Sequence, residues 1–167
     1  MDNDALKKEV ASIRMSAMNI LAGREHSIDE LRQKLSRKRS NRNSIASDCN
    51  ETEQSEAIIE TVLKQLLDDK LLDETRFTKC FIRSRINKGS GPVKIRHELK
   101  NRGISSELID EYLDNSYEFW QKHIEAARNK RFGVQSPKDY KEQSKQSRFL
   151  YQRGFSGELI QRLFNEY

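Results

Sequence analysis

The chain has 167 residues, of which 35% are apolar and 34% charged. That is thin apolar content for one spherical core of this length, and a mean hydropathy of -0.90 goes with the lack of any run near the ~18 apolar residues of a membrane span. Lys and Arg exceed Asp and Glu by 31 to 26, a net charge of +5, and the two cysteines, Cys49 and Cys80, lack the spacing of a zinc site or a disulfide framework.

The opening Met1-Asp2-Asn3-Asp4 has neither the basic start nor the apolar stretch of a secretory signal, so a cytoplasmic protein with reduced thiols is expected. Runs of β-branched residues bounded by turns are absent, and apolar residues recur at helical spacing instead. A first helix is predicted from Asp4 to Ala22 on Leu6, Val10, Ile13 and Ala17. Ser27 or Asp29 can cap a second helix bearing Ile28, Leu31 and Leu35. Residues 39–54 are polar without period and read as a mobile loop. A third helix, from about Gln54 to Asp69, presents Ile58, Ile59, Val62, Leu63 and Leu66.

Asp73 caps a fourth helix with Phe77, Cys80 and Phe81 on its apolar face, and Lys88-Gly89-Ser90-Gly91 ends it. Cys80 is thereby expected in a core rather than as a nucleophile. Pro92 suits the first position of a fifth helix, where a missing N–H costs nothing, and Gly103 suits its end. The glycine-rich turn before Pro92 could bind an anion, but a plain helix–helix turn is the simpler reading. Ser105 caps a sixth helix. A seventh runs from about Tyr117 to Arg131, an eighth from about Lys138 to Gln152, and Ser156 caps a ninth.

The last two thirds repeat. Aligning Leu99–Leu113 with Leu150–Phe164, an offset of 51, gives seven identities in fifteen positions, including Arg102/Arg153, Gly103/Gly154 and Ser105/Ser156. The first third fits more loosely, with the polar loop as an insertion. The expected fold is all-α: nine helices in three tandem three-helix repeats, at 1–70, 71–116 and 117–167. Each repeat is too small to bury a face alone, so neighbours stack into an elongated, curved molecule.

Charge alternates in blocks. Residues 32–47 carry six basic residues and no acid, 51–74 a net -6, 76–102 a net +8, 103–127 a net -5 and 128–153 a net +6. Three basic blocks suit an acidic polymer or an acidic protein surface. No metal, cofactor or nucleophile motif is present, the three histidines are far apart, and neither an enzyme nor a cofactor is expected. A helix-turn-helix reading of 92–113 meets an acidic second helix (Glu107, Asp110, Glu111, Asp114), which argues against specific duplex readout. The aromatics Phe77, Phe81, Trp120, Phe149, Phe155 and Phe164 fall on apolar faces and read as core, whereas Tyr140 and Tyr151 are candidates for exposure.

The central third closely resembles the RecX family of bacterial recombinase regulators. The matching segments are Leu71-Leu72-Asp73-Glu74-Thr75-Arg76-Phe77, Phe81-Ile82-Arg83-Ser84-Arg85, Lys88-Gly89-Ser90-Gly91-Pro92 through Leu99, and Arg102-Gly103-Ile104. Ile20 through Leu35 resembles that family's first repeat, and Arg148-Phe149-Leu150 with Arg153-Gly154-Phe155 its third. Two positions depart from the pattern: Lys94 stands where many members have Arg, and Ser90 where an aromatic is common.

The resemblance implies a regulator that binds the RecA recombinase filament on single-stranded DNA. It would block filament growth and dampen recombination, ATP hydrolysis and coprotease activity, and with them DNA repair and the SOS response. Weak DNA binding alone and a monomeric state are expected. The candidate contact surface is Arg83, Arg85, Lys88, Lys94, Arg96 and Arg102, with Lys145, Arg148 and Arg153 as a second. Arg102 and Arg153 could instead favour helix C-termini, since each precedes the stopping glycine. The competing reading is a general helical-repeat nucleic-acid binder that competes for DNA.

Overall fold

The computed structural model describes residues 3–40 and 49–165, and every described element is a helix. These are α1 (Asn3–Leu21), α2 (Ile28–Ser40), α3 (Cys49–Asp68), α4 (Glu74–Asn87), α5 (Pro92–Lys100), α6 (Ser106–Tyr112), α7 (Tyr117–Phe132), α8 (Tyr140–Arg153) and α9 (Gly157–Asn165). The chain divides into two compact units, residues 1–77 and 78–167.

In the first unit, α1, α2 and α3 pack on one another around Ala17, Leu31, Leu35, Ile59, Val62, Leu63, Leu66 and Leu72. Ser27 is the cap of α2, its hydroxyl accepting from the Glu30 amide at 3.1 Å. Two boundaries differ from the sequence reading. Helix continues through Ser40, and α3 begins at Cys49, five residues before Gln54. The span expected as loop, 39–54, is therefore helical at both of its ends, and 41–48 lie outside the described residues. Polar residues without an apolar stripe carry no periodic signal, so this first turn of α3 was hidden.

Helix α3 ends in a Schellman turn: the Leu71 amide donates to the Leu66 carbonyl at 2.9 Å and the Lys70 amide to Leu67 at 2.9 Å. The residue placed left-handed there is Lys70, with φ of 57°.

In the second unit, α7 packs on α8 and α9, and α8 on α9. Trp120, Ile124, Leu150, Phe155, Leu159 and Leu163 are buried. The Trp120 ring meets Phe155 edge-on at 6.2 Å. The repeat is reproduced at the helix ends. Ile104 donates to Leu99 at 3.2 Å after Gly103, and Phe155 to Leu150 at 3.2 Å after Gly154. Ser105 and Ser156 cap the following helices through the Leu108 and Leu159 amides.

The two turns also meet. The Gly91 amide donates to the Arg153 carbonyl at 2.8 Å, and the Val93 amide to the Gly154 carbonyl at 3.0 Å. A Cβ at Gly91 would overlap the Gly154 carbonyl, and a Cβ at Gly154 would overlap Lys94. Gly154 also has φ of 88°. Backbone thus lies directly against backbone, which only glycine permits. These bonds occupy the amides that open α5, so the glycine-rich turn before Pro92 is structural and offers no anion site there.

Side-chain ties add to this frame. Arg128 is fully buried; its Nε donates to Gln146 Oε1 at 2.8 Å, and its Nη2 to the Gln135 carbonyl. It holds α7 to α8 and to the segment between them. Cys80 is exposed, contrary to the core placement read from its apolar neighbours: Phe77, Thr78 and Ile82 take the buried face of α4, and Cys80 points away from it.

Candidate nucleic-acid interface

The predicted contact residues all lie in the second unit, and they separate by what holds them. Arg85 Nε sits 2.6 Å from Glu98 Oε2, with its guanidinium 4.8 Å from the Phe81 ring centroid. Both atoms of that pair are buried and lack a directed hydrogen bond, so the contact is one of charge. Arg96 pairs with Asp110 and also donates to Asn115 at 3.3 Å. Arg102 donates to the Glu98 carbonyl at 2.7 Å and lies over Phe81 at 4.7 Å, so it caps the end of α5. These three are engaged within the molecule.

Arg83, Lys88, Lys94, Lys145 and Arg148 are exposed, with no ion pair among the described residues. Arg153 donates to the Lys88 carbonyl at 3.2 Å and lies 5.2 Å from the Phe149 ring. It therefore ties two turns together while keeping an exposed charge.

Two concavities on this unit gather part of the set. One, of about 330 Å³, is lined by Lys88, Lys130, Arg131 and Arg153 together with Ala126, Ala127 and Phe149. The other, of about 390 Å³, is lined by Lys79 and Arg83 with Tyr112 and Phe119. They share Ile86, Asn87 and His123, and so form one groove along α4 and α7. Neither is lined by a carboxylate.

Aromatic rings stand at intervals along it. Lys79 Nζ lies 4.5 Å from the Tyr112 ring, Phe119 stacks at a tilt on His123 at 4.8 Å, and Phe149 meets Phe132 edge-on at 5.3 Å. His123 has its pKa pushed below the usual 6.5, chiefly by burial and further by the charge of Lys122. The groove joins Lys88, Arg83 and Arg153 from the sequence assignment. It leaves out Lys94, Lys145 and Arg148.

It also adds Lys79, Lys130 and Arg131, which sequence reasoning did not select. A usable signal existed. Lys79 and Arg83 are four apart on α4, Phe119 and His123 four apart on α7, and Ala126 and Lys130 continue that face.

Exposed aromatics lie elsewhere. Tyr140 and Tyr151 are 83% and 70% accessible, as expected, and neither lines the groove. Phe77, Trp120 and Phe155 are core, whereas Phe81, Phe149 and Phe164 are only half-buried. Among the described residues no cluster of three His, Cys, Asp or Glu could hold a metal ion, and no helix is long and apolar enough to cross a membrane.

Comparison with known proteins is decisive on family. Residues 73–113 match the family model for the second three-helix domain of RecX, and residues 115–164 that for the third. The chain belongs to the RecX family. The regulatory protein RecX of Halorhodospira halophila is 36% identical over 89% of this chain and 84% of its own length. That of Pseudomonas entomophila is also 36% identical, over 92% and 90%. The crystal structure of RecX from Lactobacillus salivarius superposes with a TM-score of 0.70 over 96% of this chain and 97% of that one, at 19% identity. These RecX relatives are named as regulatory proteins, so the chain is a regulator rather than an enzyme. The RecX fold, all-α and built from three-helix domains, accounts for the internal repeat.

Proposed function

We propose that this protein regulates the RecA recombinase by binding its filament on single-stranded DNA. Binding blocks filament growth and lowers RecA's recombinase, ATPase and coprotease activities, and so restrains DNA repair, recombination and the SOS response. The observation that carries this reading is membership of a family of RecX regulatory proteins over nearly the whole chain. The uncompensated basic groove supports it, because a partner made of protein and DNA together presents abundant negative charge.

In this reading the protein acts as a cytoplasmic monomer built of three repeats, 1–70, 71–116 and 117–167. Its contacts are made by Arg83, Lys88, Lys94, Lys145, Arg148 and Arg153. Arg85, Arg96 and Arg102 contribute by holding the surface in shape.

The test is RecA's single-strand-dependent ATP hydrolysis as this protein is titrated in, beside an unrelated recombinase on the same DNA. Loss of RecA activity at sub-stoichiometric ratios, with the other enzyme spared, is expected. The groove also favours a second reading, a general nucleic-acid binder. That reading requires equal loss with both enzymes, and only near saturation of the DNA.

A further inference from the structure

We infer that the groove along α4 and α7 is a single-stranded nucleic-acid site. Arg83, Lys88, Lys130 and Arg131 hold the phosphate backbone, and Phe119 and Phe149 offer ring faces to unpaired bases. This assigns the surface to the DNA of the filament rather than to the recombinase. Only the choice of DNA as the nucleic acid rests on the RecA reading.

Charge points to an anionic occupant. Most arginines paired elsewhere are answered by carboxylates, Arg14 by Asp69, Arg24 by Glu30, Arg32 by Glu60, Arg76 by Glu25, Arg85 by Glu98 and Arg162 by Glu158, whereas Arg148 stands exposed outside the groove without one among the described residues. The six cations lining the groove, Lys79, Arg83, Lys88, Lys130, Arg131 and Arg153, have no such partner among the described residues, and no carboxylate lines the groove. Like charges lining one groove repel one another unless an anion enters.

Shape and spacing point to a polymer. Lys79 to Lys88 spans nine residues of α4 and the following turn, about 14 Å at helical rise, and Phe119 to Arg131 runs alongside on α7. Cations therefore follow a line, as a polyanion's backbone requires, rather than a point.

The rings point to unpaired bases. Single-strand binders pair a basic groove with aromatic platforms, because every unpaired base has a face to stack. Half-buried Phe119 and Phe149 stand among the cations; Lys122 lies 5.6 Å from the Phe119 ring centroid and Arg153 5.2 Å from that of Phe149, flexible side chains that an entering base displaces or stacks upon. An acidic protein segment would use the cations and leave these walls without a planar partner. A duplex would keep its bases out of reach.

The experiment uses the full chain and a fluorescein-labelled oligo-dT, followed by anisotropy between about 50 and 200 mM salt. Four phosphate contacts predict a log–log slope of about -3. Lys130→Gln with Arg131→Gln should cut that slope by about 1.4. Phe149→Leu should weaken binding about tenfold and leave the slope unchanged. Lys64→Gln with Lys100→Gln removes the same charge from exposed positions outside the groove and should leave slope and affinity alone.

Equal losses from the two double variants, an unaffected groove variant, or equal binding to a duplex of the same length would each overturn the assignment. RecA ATPase inhibition, measured beside it, separates the two readings. Wild-type protein that inhibits RecA but binds no oligo-dT sinks the groove assignment and spares the regulator. Protein that binds as expected but never inhibits RecA does the reverse.

Discussion

The contact between the turns at Gly91 and Gly154 can be tested by adding single methyl groups. Gly89 and Gly154 both end helices with positive φ, 74° and 88°. Alanine at either position must adopt a left-handed conformation that costs about 1–2 kcal/mol. The surroundings differ. A Cβ at Gly89 finds only Ala127 at 3.6 Å, an ordinary contact, whereas one at Gly154 falls on the backbone and Cβ of Lys94.

Overpacking where backbone cannot yield adds about 1–3 kcal/mol. Gly89→Ala should therefore cost about 1.5 kcal/mol, and Gly154→Ala about 3.5 kcal/mol. Gly91, with an ordinary φ of -85°, carries the steric cost alone, so Gly91→Ala should cost about 2 kcal/mol. The double variant at 91 and 154 should cost less than the sum, since both methyl groups push apart the same two strands of backbone.

Urea unfolding read by Trp120 suits this. It is the sole tryptophan and packs against Phe155, the residue after Gly154. Equal midpoints for Gly89→Ala and Gly154→Ala would refute the reasoning, because the shared backbone cost would then be the whole effect.

Further expectations concern pH, a buried cation and a cap. His26 is 1% accessible; its Nδ1–H donates to the Arg24 carbonyl at 2.9 Å, and its Nε2 accepts from Lys34 Nζ at 2.7 Å. Burial first, then the charges of Arg24 and Lys34, hold its pKa below 6.5. His123 is also lowered, so the unfolded chain binds more protons below about pH 6.5 and stability falls as pH drops through that range. His26→Gln should flatten the fall in a urea series followed by circular dichroism, and an unchanged slope would refute it.

Gln146→Leu deprives the buried Arg128 of a hydrogen bond and should cost about 1–3 kcal/mol; a neutral result in the Trp120 assay would show that Arg128 is satisfied without it. Lys70→Gly should raise stability by about 1 kcal/mol by relieving a left-handed lysine. No gain in thermal midpoint would contradict that account.

Much of the fold was legible because the signals are local. Ser27, Asp73, Ser105 and Ser156 each accept from an amide of the following helix, Pro92 opens α5, and Gly103 and Gly154 close α5 and α8. The site was less legible because charge in a window says nothing about direction. Arg128 counted toward a basic block and is fully buried, while Arg85 and Arg96 did so and are spent on Glu98 and Asp110. Lys130 and Arg131 earned no place until α7 was set beside α4. Cys80 was misplaced because its neighbours Phe77 and Phe81 are unequal: Phe77 is buried, but Phe81 is half-exposed under two arginines.

The joint at Gly91 also bears on synthesis. The carbonyls that receive the Gly91 and Val93 amides belong to Arg153 and Gly154, made about sixty residues later. A nascent chain released only as far as α6 holds every helix of the second triplet, yet the start of α5 has only water to bond. Closure of that turn waits for α8 to emerge, so the second and third helical triplets mature together although they are translated in succession.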